Sequence, residues 1–203
     1  MHRLVQDATQ VWLDGRGRLD EVYESFVHRL CTTFPTGDFE NWPTRRKLFP
    51  HAKGAAGQRP TDPGGVLEWA TVMYRSAWYA LEQGELIDAL TMGTAAMTVR
   101  SEQLGGEHEE TLWSKAVVSW AYRNRGRWKE AEELEVKVME TSRRVLGGEH
   151  PDTLSSMANL ASTYRNQGRW NEANYLLQEV VDSSARLLGD SHPDTLAWRS
   201  ALA

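Results

Sequence analysis

From Leu154 onward the apolar and small residues Met157, Leu160, Ala161 and Tyr164 recur at steps of three and four. That spacing gathers side chains on one face of a helix. Gly168 follows, suited to the left-handed backbone conformation that ends many helices. From about Trp170 a second stripe runs through Ala173, Leu177, Val180 and Val181. The pattern predicts helix, turn, helix, with small residues (Ala161 and Ala173, Ser119 and Ala131, Ala77 and Ala89) placed so that the two helices of a pair approach closely. Pro151 and Pro193 suit the first turn of the next helix, where a missing N–H costs little, and Asp152 and Asp194 set negative charge at its positive end.

The same pattern is written more than once. LGGEHEETL at 104–112, LGGEHPDTL at 146–154 and LGDSHPDTL at 188–196 are each displaced by 42 residues, and segments 104–135 and 146–177 agree at 18 of 32 positions. Tyr122/Tyr164, Arg123/Arg165, Asn124/Asn166, Gly126/Gly168, Trp128/Trp170 and Ala131/Ala173 are among the matches. One period earlier lie Gly84 and Ala89, the anchors of a worn first copy. A fixed period of this length predicts a stacked helical array.

Ahead of the repeats, residues 1–14 read as a helix with Leu4, Val5, Ala8, Val11 and Trp12 on one side, stopped at Asp14-Gly15-Arg16-Gly17. Leu19, Val22, Tyr23, Phe26, Val27 and Leu30 predict a second helix, ended by Pro35 and Gly37. A shorter basic helix is predicted around Arg45–Phe49. The pattern then dissolves through Gly54, Gly57, Pro60, Pro63, Gly64 and Gly65, which predicts a loop of more than ten residues and a boundary or a disordered excursion. Trp42 and Trp69 are not placed by the pattern.

Composition narrows the class. The chain has 203 residues, 40% hydrophobic and 25% charged, enough for one sizeable core or a one-dimensional stack. A net charge of −5 gives no general attraction to nucleic acid or an anionic membrane. A single cysteine, Cys31, excludes an internal disulfide framework and fits a reducing compartment. No apolar run approaches the roughly 18 residues of a spanning helix, and Met1-His2-Arg3 does not open a signal peptide. The expectation is a soluble cytoplasmic protein with no nucleic-acid or membrane partner.

Leu160-Ala161, Tyr164, Gly168, Trp170 and Ala173 resemble a tetratricopeptide repeat, and the 42-residue period with LGxxHPDTL resembles the kinesin-light-chain subtype. The resemblance implies an all-α, right-handed solenoid of helical hairpins over 61–203, with units at about 66–107, 108–149 and 150–191 and a truncated fourth at 192–203, preceded by a helical linker block at 1–60. Lys115 and Glu135 depart from it, standing where the family usually has apolar residues, and Leu86 replaces the Trp in the first copy. By the same resemblance the first helices of successive units line a concave peptide groove. Its residues here are Tyr74, Trp78 and Leu81, then Trp113, Ala116, Trp120, Arg123 and Asn124, then Ser155, Ala158, Ser162, Arg165 and Asn166. Aromatic area with guanidinium and amide donors suits an extended peptide. Trp78 and Trp120 have a second reading as inter-repeat core, whereas Trp128 and Trp170 are expected inside their repeats.

The opening block, MHRLVQDATQVWL with FPTGDFENW and LFPHA, resembles the segment that joins the nucleotide-binding module to the repeats in fungal NOD-like receptors. That resemblance makes His2 the nucleotide-sensing histidine of a parent signalling ATPase, with Arg3 in place of the family's aspartate. No Gly-x-x-x-x-Gly-Lys-Ser/Thr loop is present, so the chain alone is expected to bind no nucleotide, metal or other cofactor and to catalyse nothing. His108, His150 and His192 recur once per unit, and layers of packed helices some 8–10 Å apart keep them from sharing a metal or a proton. They read as turn histidines. Cys31 reads as a half-buried structural thiol, and no Gly-x-Ser-x-Gly elbow occurs. The expected function is a non-catalytic scaffold, the repeat sensor of such a receptor, binding a peptide or protein and, as a second partner, the parent's own nucleotide-binding module. The alternatives are a kinesin-light-chain-like cargo adaptor and a structural self-association or autoinhibitory module.

Overall fold

In a computed structural model the described residues are Trp12, 15–35 and 41–202, with only the backbone described at Asp194. Most of the predicted first helix, His2 and the 36–40 segment lie outside them. Among the described residues there are nine helices and no strand: α1 (Leu19–Thr33), α2 (Trp42–Ala55), α3 (Pro63–Glu82), α4 (Leu86–Leu104), α5 (Glu109–Asn124), α6 (Trp128–Val145), α7 (Pro151–Asn166), α8 (Trp170–Leu188) and α9 (Pro193–Leu202). From α3 onward each helix packs chiefly on its neighbours in the chain, while α1 and α2 pack on α3 and on each other. The result is an all-α solenoid of helical hairpins with a helical block laid against its first unit.

The turn inside each hairpin follows from one glycine. Gly84, Gly126 and Gly168 take φ of 74°, 71° and 78°, a region where an ordinary side chain is strained, and this lets the chain leave one helix and enter the next within three residues. The small pairs lie where the stripes put them, with Ala77, Ala89, Ala131, Ala161 and Ala173 fully buried and Ser119 nearly so. Gly93 on α4 extends this close packing: a Cβ there would lie 3.2 Å from Val118 on α5.

Two of the histidines in the LGxxH segments, His108 and His150, cap helices. His108 Nδ1 accepts from the Glu110 amide at 3.3 Å, and His150 Nδ1 accepts from the Asp152 amide at 3.2 Å. Each satisfies one of the donors that a helix start leaves open, with Nδ1 as the acceptor.

Four expectations need correction. The predicted glycine-rich loop is shorter and ordered, because α2 runs through Gly54 to Ala55 and α3 begins at Pro63, taking Gly64 and Gly65 into its first turn. Asp62 caps that turn, its carboxylate accepting from the Gly65 amide at 2.9 Å. The Ala55 carbonyl accepts from both Trp69 Nε1 and the Tyr23 hydroxyl at 2.8 Å, which ties the α2 end to α1 and α3. The basic helix is correspondingly longer than predicted. In α1 only the Val27–Leu30 half of the stripe is buried, while Val22 and Phe26 stay exposed. Trp128 and Trp170 are exposed at 40% and 56% rather than internal. Each is the first residue of its helix, and the buried inner position falls to Ala131 or Ala173 one turn later. At the end of the chain, Trp198 and Leu202 pack on the core of the third unit while Leu196 remains half-exposed.

Candidate functional site

The first helices α3, α5 and α7 carry three hollows in succession. The first, about 760 Å³, opens among Tyr74, Arg75 and Trp78 of α3, Glu110 and Trp113 of α5, and Arg45 of α2. The second, about 90 Å³, lies between α5, α6 and α7 and shares Trp113, with Ala116, Ser155 and Glu135 on its walls. The third, about 290 Å³, is formed by Ser162, Arg165, Asn166 and Trp170. Most residues predicted for a groove therefore border these hollows. Trp78 and Trp120 meet edge to face with ring centroids 4.9 Å apart, a favoured aromatic geometry that joins the first two units. They are half-buried, so the same pair serves the joint and the surface. Trp113 is 40% exposed and free of that pairing, and Trp170 lies beneath the Arg165 guanidinium at 5.8 Å.

The two predicted arginines differ from the expectation of free donors. Arg123 Nη1 donates to the Asn159 carbonyl of α7 at 3.0 Å, and Arg165 Nη1 donates to the Ala201 carbonyl of α9 at 2.8 Å. The two bonds are one repeat period apart at both their donor and their acceptor ends. These arginines clamp the second unit to the third and the third to the start of the fourth. Arg123, with a side chain only 14% exposed, also faces Glu135 at 3.5 Å and is engaged inside the joint. Arg165 is more exposed and borders the third hollow. Asn124 donates to the Trp120 carbonyl at 3.0 Å and remains exposed beside it.

Two charged groups are buried at the joints. Arg100 on α4, 2% exposed, donates to Thr71 at 3.2 Å, to Ser114 at 3.0 Å and to Glu110 at 2.9 Å, and lies 4.8 Å over the Tyr74 ring. Burial lowers its pKa; Glu110 opposes that, and the nearby Arg75 charge adds to it. Glu135 on α6, 3% exposed, accepts from the Thr163 hydroxyl at 2.5 Å. Burial pushes its carboxyl up to about 7, against the opposing pull of Thr163 and Arg123. The sequence marks Glu135 as a departure at an apolar position, but nothing in the periodicity singles out Arg100, Arg45 or Arg75. Among the described residues no group of three or more His, Cys, Asp or Glu side chains is placed to hold a metal ion, and no helix is long and apolar enough to cross a membrane.

Residues 111–152 and 153–194 each match the tetratricopeptide-repeat family model, with the 42-residue period read from the sequence. No curated protein matches the chain. Among solved structures, it is similar to a Podospora anserina protein described as a kinesin light chain with nearly identical TPR-like repeats. That alignment has 23% identity and a TM-score of 0.64, covering 90% of this chain and 82% of the other. A single-substitution form of that protein aligns at 23% identity with a TM-score of 0.66 over the same shares. BtubC (BKLC) from P. vanneervenii aligns at 17% identity with a TM-score of 0.63, covering 99% of this chain and 79% of the other. At these identities the likeness establishes the fold: the chain carries tetratricopeptide repeats in an array like those of kinesin-light-chain-like proteins.

Proposed function

We propose that the chain is a non-catalytic scaffold whose first helices hold a peptide or a protein surface. The observation that carries this reading is the row of hollows along α3, α5 and α7, with an exposed indole, Trp113, shared by the first two. Flat apolar area beside amide and guanidinium donors suits an extended chain that presents side chains and carbonyls in alternation. Screening an array of peptides against the wild type and the Trp113→Ala, Asn166→Ala double variant tests it. Both residues are exposed, so the fold should survive the change. Loss of binding on the doubly substituted chain is the expected result; an unchanged binding profile removes the row of hollows as the site.

The finer reading is the repeat sensor of a fungal NOD-like receptor. Its support is the resemblance of the opening block to the joint of such receptors, together with the docking of α1 and α2 against the first unit. In that setting ligand capture biases a switch to which His2 belongs, which requires unequal affinities for the two receptor states. A kinesin-light-chain-like adaptor is the second reading, favoured by the likeness to structures of that description.

A further inference from the structure

The first hollow differs from the other two in the number of charged groups on its wall. Three guanidinium groups border it, those of Arg45, Arg75 and Arg100, against two carboxylates, Glu82 and Glu110. Arg45 pairs with Glu82 at 2.8 Å and Arg100 with Glu110 at 2.9 Å, which leaves Arg75 as the uncompensated charge. Its Nη1 donates to the Cys31 and Phe34 carbonyls, both at 2.8 Å, and among the described residues neither a carboxylate nor a hydroxyl meets its Nε and Nη2. A guanidinium held at one nitrogen by two backbone acceptors is fixed in plane and direction. The Nε–Nη2 edge left over has the spacing that receives a carboxylate with two parallel bonds.

The two carboxylates on this wall, Glu82 and Glu110, are already engaged by Arg45 and Arg100. Arg45 and Arg100 are 1% and 2% exposed, and the Nε of each is buried without a hydrogen-bond partner. Tyr74, Trp78 and Trp113 supply the remaining wall as flat apolar surface. We infer that this hollow is a composite site for a ligand end that joins an aromatic or apolar body to one carboxylate, with Arg75 as its anion contact, and that the opening block completes it. The second half of the inference follows from what steers Arg75. Both carbonyls that hold it belong to the last turn of α1 and the residues just after it, so the receptive edge exists only while α1 is docked on α3. Ligand binding and docking of the opening block are then linked, and each must strengthen the other by the same factor.

This inference rests on the groove reading, and its failure is distinguishable from the failure of that reading. The probes are 3-phenylpropionate and its neutral amide, and acetyl-Gly-Gly-Phe as free acid and as C-terminal amide. The signals are the indole N–H resonances of Trp78 and Trp113. The acids should shift them saturably and the amides should not; response to the small acid alone, or to the peptide acid as well, separates a free aromatic acid from a chain end as the source. Arg75→Lys, which keeps charge but loses the fork, should weaken binding about tenfold, and Arg75→Gln should abolish it. Saturating acid should also slow amide exchange through Arg29–Phe34. Equal response to acid and amide, no response to either acid, or wild-type affinity in Arg75→Gln overturns the anion site. Acid binding with no change in exchange at the α1 end overturns the linkage. A chain that binds array peptides but ignores the carboxylate keeps the groove and loses this proposal.

Discussion

The joint between the first two units and the joint between the second and third solve one packing problem with opposite charges. Position 93 and its equivalents one and two periods on are Gly93, Glu135 and Leu177, while position 100 and its equivalents are Arg100, Ser142 and Ser184. The first joint therefore has glycine where the second buries a carboxylate, and a buried guanidinium where the second has a serine. Each charge is held by side chains of neighbouring helices, Thr71, Ser114 and Glu110 around Arg100, Thr163 and Arg123 around Glu135. A repeat array can thus keep its backbone period while its joints diverge, provided each buried charge brings its own partners. The divergence also opens the wide, arginine-lined hollow at the first joint and leaves only a narrow one at the second.

The largest expected effect comes from making the first joint like the others. Arg100→Ser gives it the residue that both later units use, yet the guanidinium leaves behind Thr71, Ser114 and Glu110 and a void beside Tyr74. Glu110 is left partly solvated, so the cost comes chiefly from the void and the lost bonds of a large buried side chain, about 2–5 kcal/mol. Urea unfolding followed by circular dichroism should show a loss in that range; a loss below about 1 kcal/mol, the scale of a surface pair, would mean that the network contributes little.

Glu135 gives the second joint a pH dependence of predictable sign. Its folded pKa is raised to about 7 by burial, above the usual carboxylate value of 4.5. Between those two values the folded state holds the proton more tightly than the unfolded state does, so stability is highest below the lower value and falls as pH rises through the higher. A decline on the order of 1–3 kcal/mol between pH 5 and pH 8 is expected, since a tenfold difference in proton affinity between the two states corresponds to about 1.4 kcal/mol. Glu135→Gln keeps the shape and an acceptor for Thr163 but cannot ionise. Its profile should be flatter, with higher stability at pH 8; a slope equal to the wild type's assigns the pH dependence elsewhere.

The caps are common to both units and smaller in effect. His150→Ala should lose about 1 kcal/mol, the ordinary value of an N-cap, with faster exchange of the Asp152 amide, and His150→Asn should restore most of it. Loss in the alanine variant without faster exchange at Asp152 would separate the histidine's contribution from its capping bond.

The hairpins are legible in the sequence because the long period and the three-and-four spacing report the same packing twice, once between units and once within them. Small pairs such as Ala161 and Ala173, the turn at Gly168 and the histidines at the turns follow from local chemistry and are readable for that reason. Trp128 and Trp170 mislead because a helix-first residue shares the phase of the stripe but sits at the edge of the hairpin, where both rings stay exposed and the buried place goes to Ala131 and Ala173. The 54–65 stretch misleads because Pro63-Gly64-Gly65 looks like a breaker, whereas proline fits a first helical turn once Asp62 caps it. Arg45, Arg75 and Arg100 give no signal, since their partners lie on other helices: Arg75 reaches carbonyls more than 40 residues away.

The smallest expected effect concerns the feature that repeats most faithfully. Arg144 pairs with Glu107 at 2.5 Å and Arg186 with Glu149 at 2.9 Å, and all four side chains are more than half exposed. The pairs are one period apart at both ends, so a reading from regularity alone would make them the fasteners of the array. Physical chemistry argues otherwise: water screens exposed charges, and ordering two long side chains offsets most of their attraction. The Arg144→Ala, Arg186→Ala double variant should therefore unfold at the wild-type midpoint, and neither protein's midpoint should respond much to added salt. A drop larger than that of His150→Ala, reversed by no change of salt, would show that the outer ladder holds the units together and that the buried charges do not set the strength of the joints.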